Sequence, residues 1–127
     1  MNLLLDTHAF IWFMEGDKTL PKSCRQAIED IQNNCFISIA SIWEIVIKSS
    51  LGNLKLRSDF SQMTDFLESN EIDLLPIGFE HLQRLITLEY HHRDPFDRVI
   101  IAQALTEDLT IVSRDGNFPK YTNNLLW

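Results

Sequence analysis

The sequence predicts an α/β fold with a parallel central sheet, and three observations predict it. Short apolar runs alternate with longer stretches of helical spacing. Those runs are apolar throughout rather than at every second residue, the pattern of strands covered on both faces. No repeat, linker or low-complexity stretch interrupts them, and the 127 residues fit a single domain spanning 1–127.

Each element follows from its local sequence. Asn2 to Leu5 is the first buried strand. Asp6-Thr7 opens a helix over Ala9 to Glu15, which Gly16 ends. Pro21 to Ile31 carries Cys24, Ala27, Ile28 and Ile31 at helical spacing. Cys35 to Ile39 is apolar and partly β-branched, hence a strand. Ala40 to Leu51 is helical and stops before Gly52, while Phe60 to Leu67 fits a further helix. Ile72 to Leu75 is a strand closed by Pro76, and Phe79 to Leu88 is a helix. Pro95 takes the first position of a helix running to Glu107. Thr110 to Val112 is a strand leading into the Arg114-Asp115-Gly116 turn, and Leu125 to Trp127 is the last strand.

Composition narrows the function. Hydrophobic residues make up 45% and charged residues 23%, values of a packed protein and not a disordered one. The 18 acids outnumber the 11 bases, for a net charge of −7. That excess argues against holding nucleic acid by covering phosphates with Lys and Arg. It leaves room for a protein that brings a cation to phosphate. No apolar run is long enough to cross a bilayer, so no membrane association is expected. Met1 to Leu5 lacks the basic lead-in and cleavage site of a signal peptide. Cys24 and Cys35 form no CxxC pair and read as reduced thiols of a cytoplasmic protein.

The acidic residues that follow strands carry the chemistry. In a parallel sheet, ligands bind beyond the carboxyl ends of the strands. Asp6 directly follows the first strand and Asp115 lies three residues past Val112. Glu44 sits on the helix after the second strand, and Asp94 and Asp97 open a later helix. Each has an ordinary explanation. Asp6 or Thr7 caps a helix, Ser41-Ile-Trp-Glu44 matches a capping box, Asp94-Pro-Phe-Asp97 is a favourable helix start, and Asp115-Gly116 is a turn pair. Together they are less ordinary. Removing these five from the 18 acids leaves 13 against 11 bases, so most of the excess charge belongs to one edge of the sheet. Crowded carboxylates repel unless a counter-charge joins them. A hard divalent ion, Mg²⁺ with Mn²⁺ as substitute, suits oxygen ligands. The chemistry expected is phosphodiester hydrolysis.

Leu4-Leu5-Asp6-Thr7-His8, Ser38 to Ile45 with Lys48 and Leu51-Gly52, Asp94-Pro-Phe-Asp97-Arg98 with Ile101 to Ala104, and Ser113-Arg114-Asp115 with Phe118 occur in that order. In these motifs the chain resembles the PIN domain, and more narrowly the VapC-like toxins of bacterial type II toxin–antitoxin modules. The resemblance implies a three-layer α/β/α domain and a Mg²⁺-dependent endoribonuclease, with Asp6, Glu44, Asp97 and Asp115 as catalytic acids. It implies Asp6, Asp97 and Asp115 as metal ligands and Glu44 as the group that orients or deprotonates the attacking water. Asp94 is placed at the rim, as a cap first and a ligand second. Thr7, Ser113 and Arg114 stand beside the site. The resemblance further implies a homodimer, an RNA substrate and a VapB-like antitoxin that lays a basic or apolar tail across the cleft.

Other residues are read more plainly. His8, His81, His91 and His92 have no metal-ligand spacing. Arg93, Arg98 and Arg114 flank the acids and are read as surface ion pairs or phosphate contacts. Lys48 is read as an i, i+4 partner of Glu44. Trp12, Trp43, Phe10 and Phe13 are read as core, with part of their surface available to an interface. A receiver domain of a response regulator would need an acidic pair after the first strand and a Lys after the last, and this sequence has neither. A non-cleaving binding module and a DNA-directed nuclease on the same scaffold remain as alternatives.

Overall fold

The computed structural model describes residues 1–127. Five strands form one sheet: β1 (Asn2–Leu5), β2 (Asn34–Ser38), β3 (Ile72–Leu75), β4 (Thr110–Val112) and β5 (Leu125–Leu126). They lie in the order β3-β2-β1-β4-β5, and every neighbouring pair is parallel. Six helices accompany them: α1 (Thr7–Glu15), α2 (Lys22–Glu29), α3 (Ile39–Ser50), α4 (Met63–Ser69), α5 (Phe79–Thr87) and α6 (Pro95–Glu107).

Alternation along β1 produces the three layers. Leu3 and Leu5 enter one core with Phe10, Phe13, Ile28, Ile45 and Met63, which belong to α1 to α4. Leu4 points the other way, into a second core with Ile100, Ile101, Ala104 and Phe118. All three leucines are fully buried, as a strand covered on both faces requires. At the β3 edge the cover is incomplete, and Asp73 and Leu74 are exposed.

Several boundaries differ from the sequence reading, each for a local reason. Ile39 begins α3 instead of ending β2, because the Ser38 hydroxyl accepts from the Ala40 amide and caps the helix there. Ser41 is therefore inside α3, and the Ser41–Glu44 capping box does not form. Helix α2 stops at Glu29, and Ile31 is exposed. There Asp30 turns the chain by accepting from the Gln32 amide. The segment from Phe60 opens as a 3₁₀ turn over Phe60–Gln62 before α4 begins. Gly16 has φ +66°, the left-handed geometry that closes α1.

Strand β1 is the point at which the strand order reverses, with β2 on one side and β4 on the other. A crevice forms at such a point beyond the strand ends. The carboxyl ends of β1, β2 and β4 lead into Asp6, Ser38 and Ser113 respectively.

Candidate metal centre

A cleft of about 460 Å³ opens at that edge, and Asp6, Glu44, Asp94, Asp97 and Asp115 all line it. His8, Trp12, Lys48 and Arg114 complete its wall. Five acids spread over 110 residues of chain thus meet in one place.

Local structure explains how each is held. Asp6 caps α1, its Oδ1 accepting from the Ala9 amide at 2.7 Å. The Ser113 hydroxyl also hydrogen-bonds the Asp6 carboxylate. Asp94 caps α6 by accepting from the Phe96 and Asp97 amides at 2.9 and 3.0 Å. Asp97 stands in the first turn of α6, and Asp115 Oδ1 accepts from the Asn117 amide at 2.8 Å. Capping and clustering are therefore the same arrangement: helix starts and a turn aim their acids at one edge.

Glu44 is almost fully buried on α3. The Thr7 hydroxyl lies 2.7 Å from Glu44 Oε1 and 2.9 Å from Ser41 Oγ. A hydroxyl has one proton and a carboxylate has none to give, so Thr7 donates to Glu44 and Ser41 donates to Thr7. Lys48 Nζ donates to Glu44 Oε2 at 2.6 Å, as the i, i+4 spacing predicts. Both oxygens of Glu44 are thus engaged.

His92 is the residue the sequence reading passed over. Its Nε2 lies 2.8 Å from Asp97 Oδ2, and the nearest potential ligand atoms of His92, Asp97 and Asp115 fall within 4.8 Å of one another. Spacing alone conceals it, because the loop that brings it in is stapled from a distance. Buried Arg98 donates to the carbonyls of Leu88, Glu89 and His92 and stacks on Tyr90 at 3.9 Å. Arg98 is therefore a loop anchor, neither a surface ion pair nor a phosphate contact. The Tyr121 hydroxyl accepts from the His92 amide at 2.9 Å. The only signal in the sequence was a histidine shortly before a Pro-capped helix start.

The electrostatics are those of a site short of positive charge. Burial, and then the negative charges of Asp94, Glu44 and Asp115, push Asp97 up to about 6 from 3.8, even though His92 pulls the other way. Burial likewise raises Asp6. Lys48 is raised by its bond to Glu44 and by the nearby acids Asp94 and Asp97, and it keeps its charge.

The donors fit a hard divalent ion. Asp97 uses Oδ2 for His92 and Asp115 uses Oδ1 for Asn117, and the other oxygen of each has no hydrogen bond. An acidic pocket with free carboxylate oxygens and a carboxyl that resists ionising is one that a cation would relieve.

The profile of the PIN domain matches residues 3–124. The chain belongs to the PIN domain family. No curated protein matches it. Among solved structures, the PIN fold seen here is similar to three. One is the toxin–antitoxin complex from Klebsiella pneumoniae (20% identity, TM-score 0.65, 98% of this chain and 96% of that one). The second is VapBC2 from Rickettsia felis bound to a promoter DNA fragment (19%, 0.74, 99% and 96%). The third is FitAcB from Neisseria gonorrhoeae (19%, 0.63, 98% and 96%). These likenesses establish the α/β/α PIN architecture. No helix of the structure is long and apolar enough to cross a membrane.

Proposed function

We propose that this PIN domain is a Mg²⁺-dependent endoribonuclease and the toxin of a type II toxin–antitoxin module. The observation that carries the reading is the convergence of Asp6, Glu44, Asp94, Asp97 and Asp115 on one cleft.

In this reading Asp6, Asp97 and Asp115 hold the ion, with Mn²⁺ as a substitute, and Asp94 stays a cap at the rim. A bound Mg²⁺ supplies Lewis-acid activation of water and neutralises charge on the phosphate. His92 fixes the orientation of Asp97 through Oδ2 and leaves Oδ1 for the ion. Glu44, held by Thr7 and Lys48, orients the attacking water and accepts its proton when Lys48 releases Oε2. Ser113 steadies Asp6. Burial of Asp6 and Glu44 keeps both carboxylates in fixed geometry before substrate arrives.

The partners proposed are an antitoxin of the VapB kind and a second copy of the chain. The titles of the three similar structures name toxin–antitoxin or VapBC and FitAB assemblies, which supports the first. An antitoxin arginine inserted among the carboxylates would pair with them and displace the ion. For the second, Phe79, Leu82 and Ile86 form an exposed apolar stripe at helical spacing on α5, with exposed Tyr90 beyond it.

The test is cleavage of RNA by the purified chain with Mg²⁺, with EDTA and with Asp6→Asn. Asparagine keeps an oxygen for the Ala9 amide, so the fold survives the change. Cleavage that needs Mg²⁺ and is lost in folded Asp6→Asn is expected; an active, folded Asp6→Asn protein refutes the assignment. The matching DNA strand, which lacks the 2′-hydroxyl, decides between RNA and DNA as substrate.

A further inference from the structure

Next to the acids, the wall of the cleft changes character. His8 and Trp12 lie four residues apart on α1 and so share a face. Their ring centroids are 5.7 Å apart, and Trp127 packs edge-on against Trp12 at 5.8 Å. Arg114 holds its guanidinium carbon 4.7 Å from the centre of the Trp12 ring. Trp12, His8 and Arg114 also line the cleft, so this ledge runs directly into the carboxylates.

Core packing does not account for the group. Trp12 is half-buried, but His8 and Arg114 are exposed and Trp127 is 37% exposed. Nor does charge pairing account for Arg114. It forms no ion pair, although Asp115 is its immediate neighbour, and it rests on an indole instead. Lys48, the other cation of the cleft, is tied to Glu44. Arg114 is therefore the strong cation at the site that is free to meet an incoming anion.

We infer that the ledge formed by His8, Trp12, Trp127 and Arg114 binds one unpaired nucleotide of the substrate, its base stacked on the aromatic surface and its phosphate met by Arg114. This rests on the hydrolase reading above and deepens it by naming the state of the strand. A base can reach a protein ring only when it is out of a duplex, and aromatic surface beside a cation is how proteins hold such bases. The free guanidinium also decides against a basic peptide, which it would repel. The ledge thus selects single strands or loops and sets an adjoining phosphate over the acids.

The full chain carrying Asp97→Asn, to prevent cleavage, and Trp43→Phe, to remove the indole that packs on Phe96 away from the cleft, serves as the binding probe. It is titrated in Mg²⁺ with a ten-nucleotide single-stranded RNA, read by tryptophan fluorescence. Binding with quenching is expected. Arg114→Ala and Trp127→Ala should each weaken it about tenfold or more, and Trp127→Phe should restore it. The same strand annealed to its complement should bind more weakly and quench little. Unchanged affinity in both alanine variants, or a duplex that binds as tightly as the single strand, overturns the inference. So does quenching by a peptide of alternating Arg and Leu with none by the single strand, which assigns the ledge to a polypeptide. The hydrolase reading fails separately: a native chain that binds single strands through the ledge but never cleaves them refutes only the hydrolase. Cleavage with unchanged KM in Arg114→Ala refutes only the ledge.

Discussion

Replacing Asp97 by Asn should make the metal-free protein more stable while abolishing cleavage. Asp97 ionises near pH 6 in the folded chain against 3.8 for the unperturbed group, an upward shift of about two pH units. At 1.36 kcal/mol per unit the ceiling is about 3 kcal/mol. The side chain is one-fifth exposed, and solvent screening and relaxation reduce this to about 1–2 kcal/mol. The sign follows from the direction of the shift. An acid whose folded value is raised contributes fully below the unfolded value and loses that contribution as pH rises through the folded one. The native chain therefore gives up stability between about pH 4 and 6 that the variant does not. Asparagine can still accept from His92. Urea unfolding in EDTA, at pH 4 and pH 7, measures the difference. The variant should match the native protein at pH 4 and exceed it at pH 7, with Tm higher by about 3–8 °C. A variant no more stable at pH 7, or a difference that does not change with pH, would show that the carboxylates are not in conflict, and the case for an ion would lose its electrostatic basis.

Mg²⁺ should raise the Tm of the native chain, since it binds the folded state, and EDTA should reverse the shift; Asp97→Asn should respond far less in the same thermal scans. Thr7→Val removes the donor to Glu44 Oε1, a bond to a charged group, and should cost about 1.5–3 kcal/mol and slow cleavage, whereas Thr7→Ser should recover most of both. His81 offers a control away from the cleft. Its Nδ1 accepts from the Gly78 amide, so Nε2 carries the proton and donates to Glu107, joining the start of α5 to the end of α6. His81→Ala should cost about 2–3 kcal/mol in denaturant unfolding and leave cleavage per folded molecule unchanged; a loss of activity in the folded variant would extend the site beyond the cleft.

The sequence by itself determined the parallel α/β class, because apolar runs such as Leu3-Leu4-Leu5 have no stable place except inside two helical layers. It determined the bounds of β1, β3, β4 and α6, where Asp-Pro starts, Pro stops and complete apolar runs agree with one another. It also singled out the five acids, since a side chain that follows a strand or starts a helix has its direction set by neighbours one to three residues away. The tertiary structure decided what depends on groups far apart in the chain. Ser38 displaced Ser41 as the cap of α3 because the end of the strand set where the helix could begin, and Glu44 became a buried acid held by Thr7 from another element. Arg98, apparently a surface cation, turned inward to bind three carbonyls of the loop before α6, and that loop delivered His92 to Asp97. Arg114 settled on Trp12 and not on an acid, a choice governed by an indole 102 residues earlier in the chain. Local spacing fixes the direction of a side chain, but its partner is chosen by desolvation and packing, and these exist only after the chain has closed on itself.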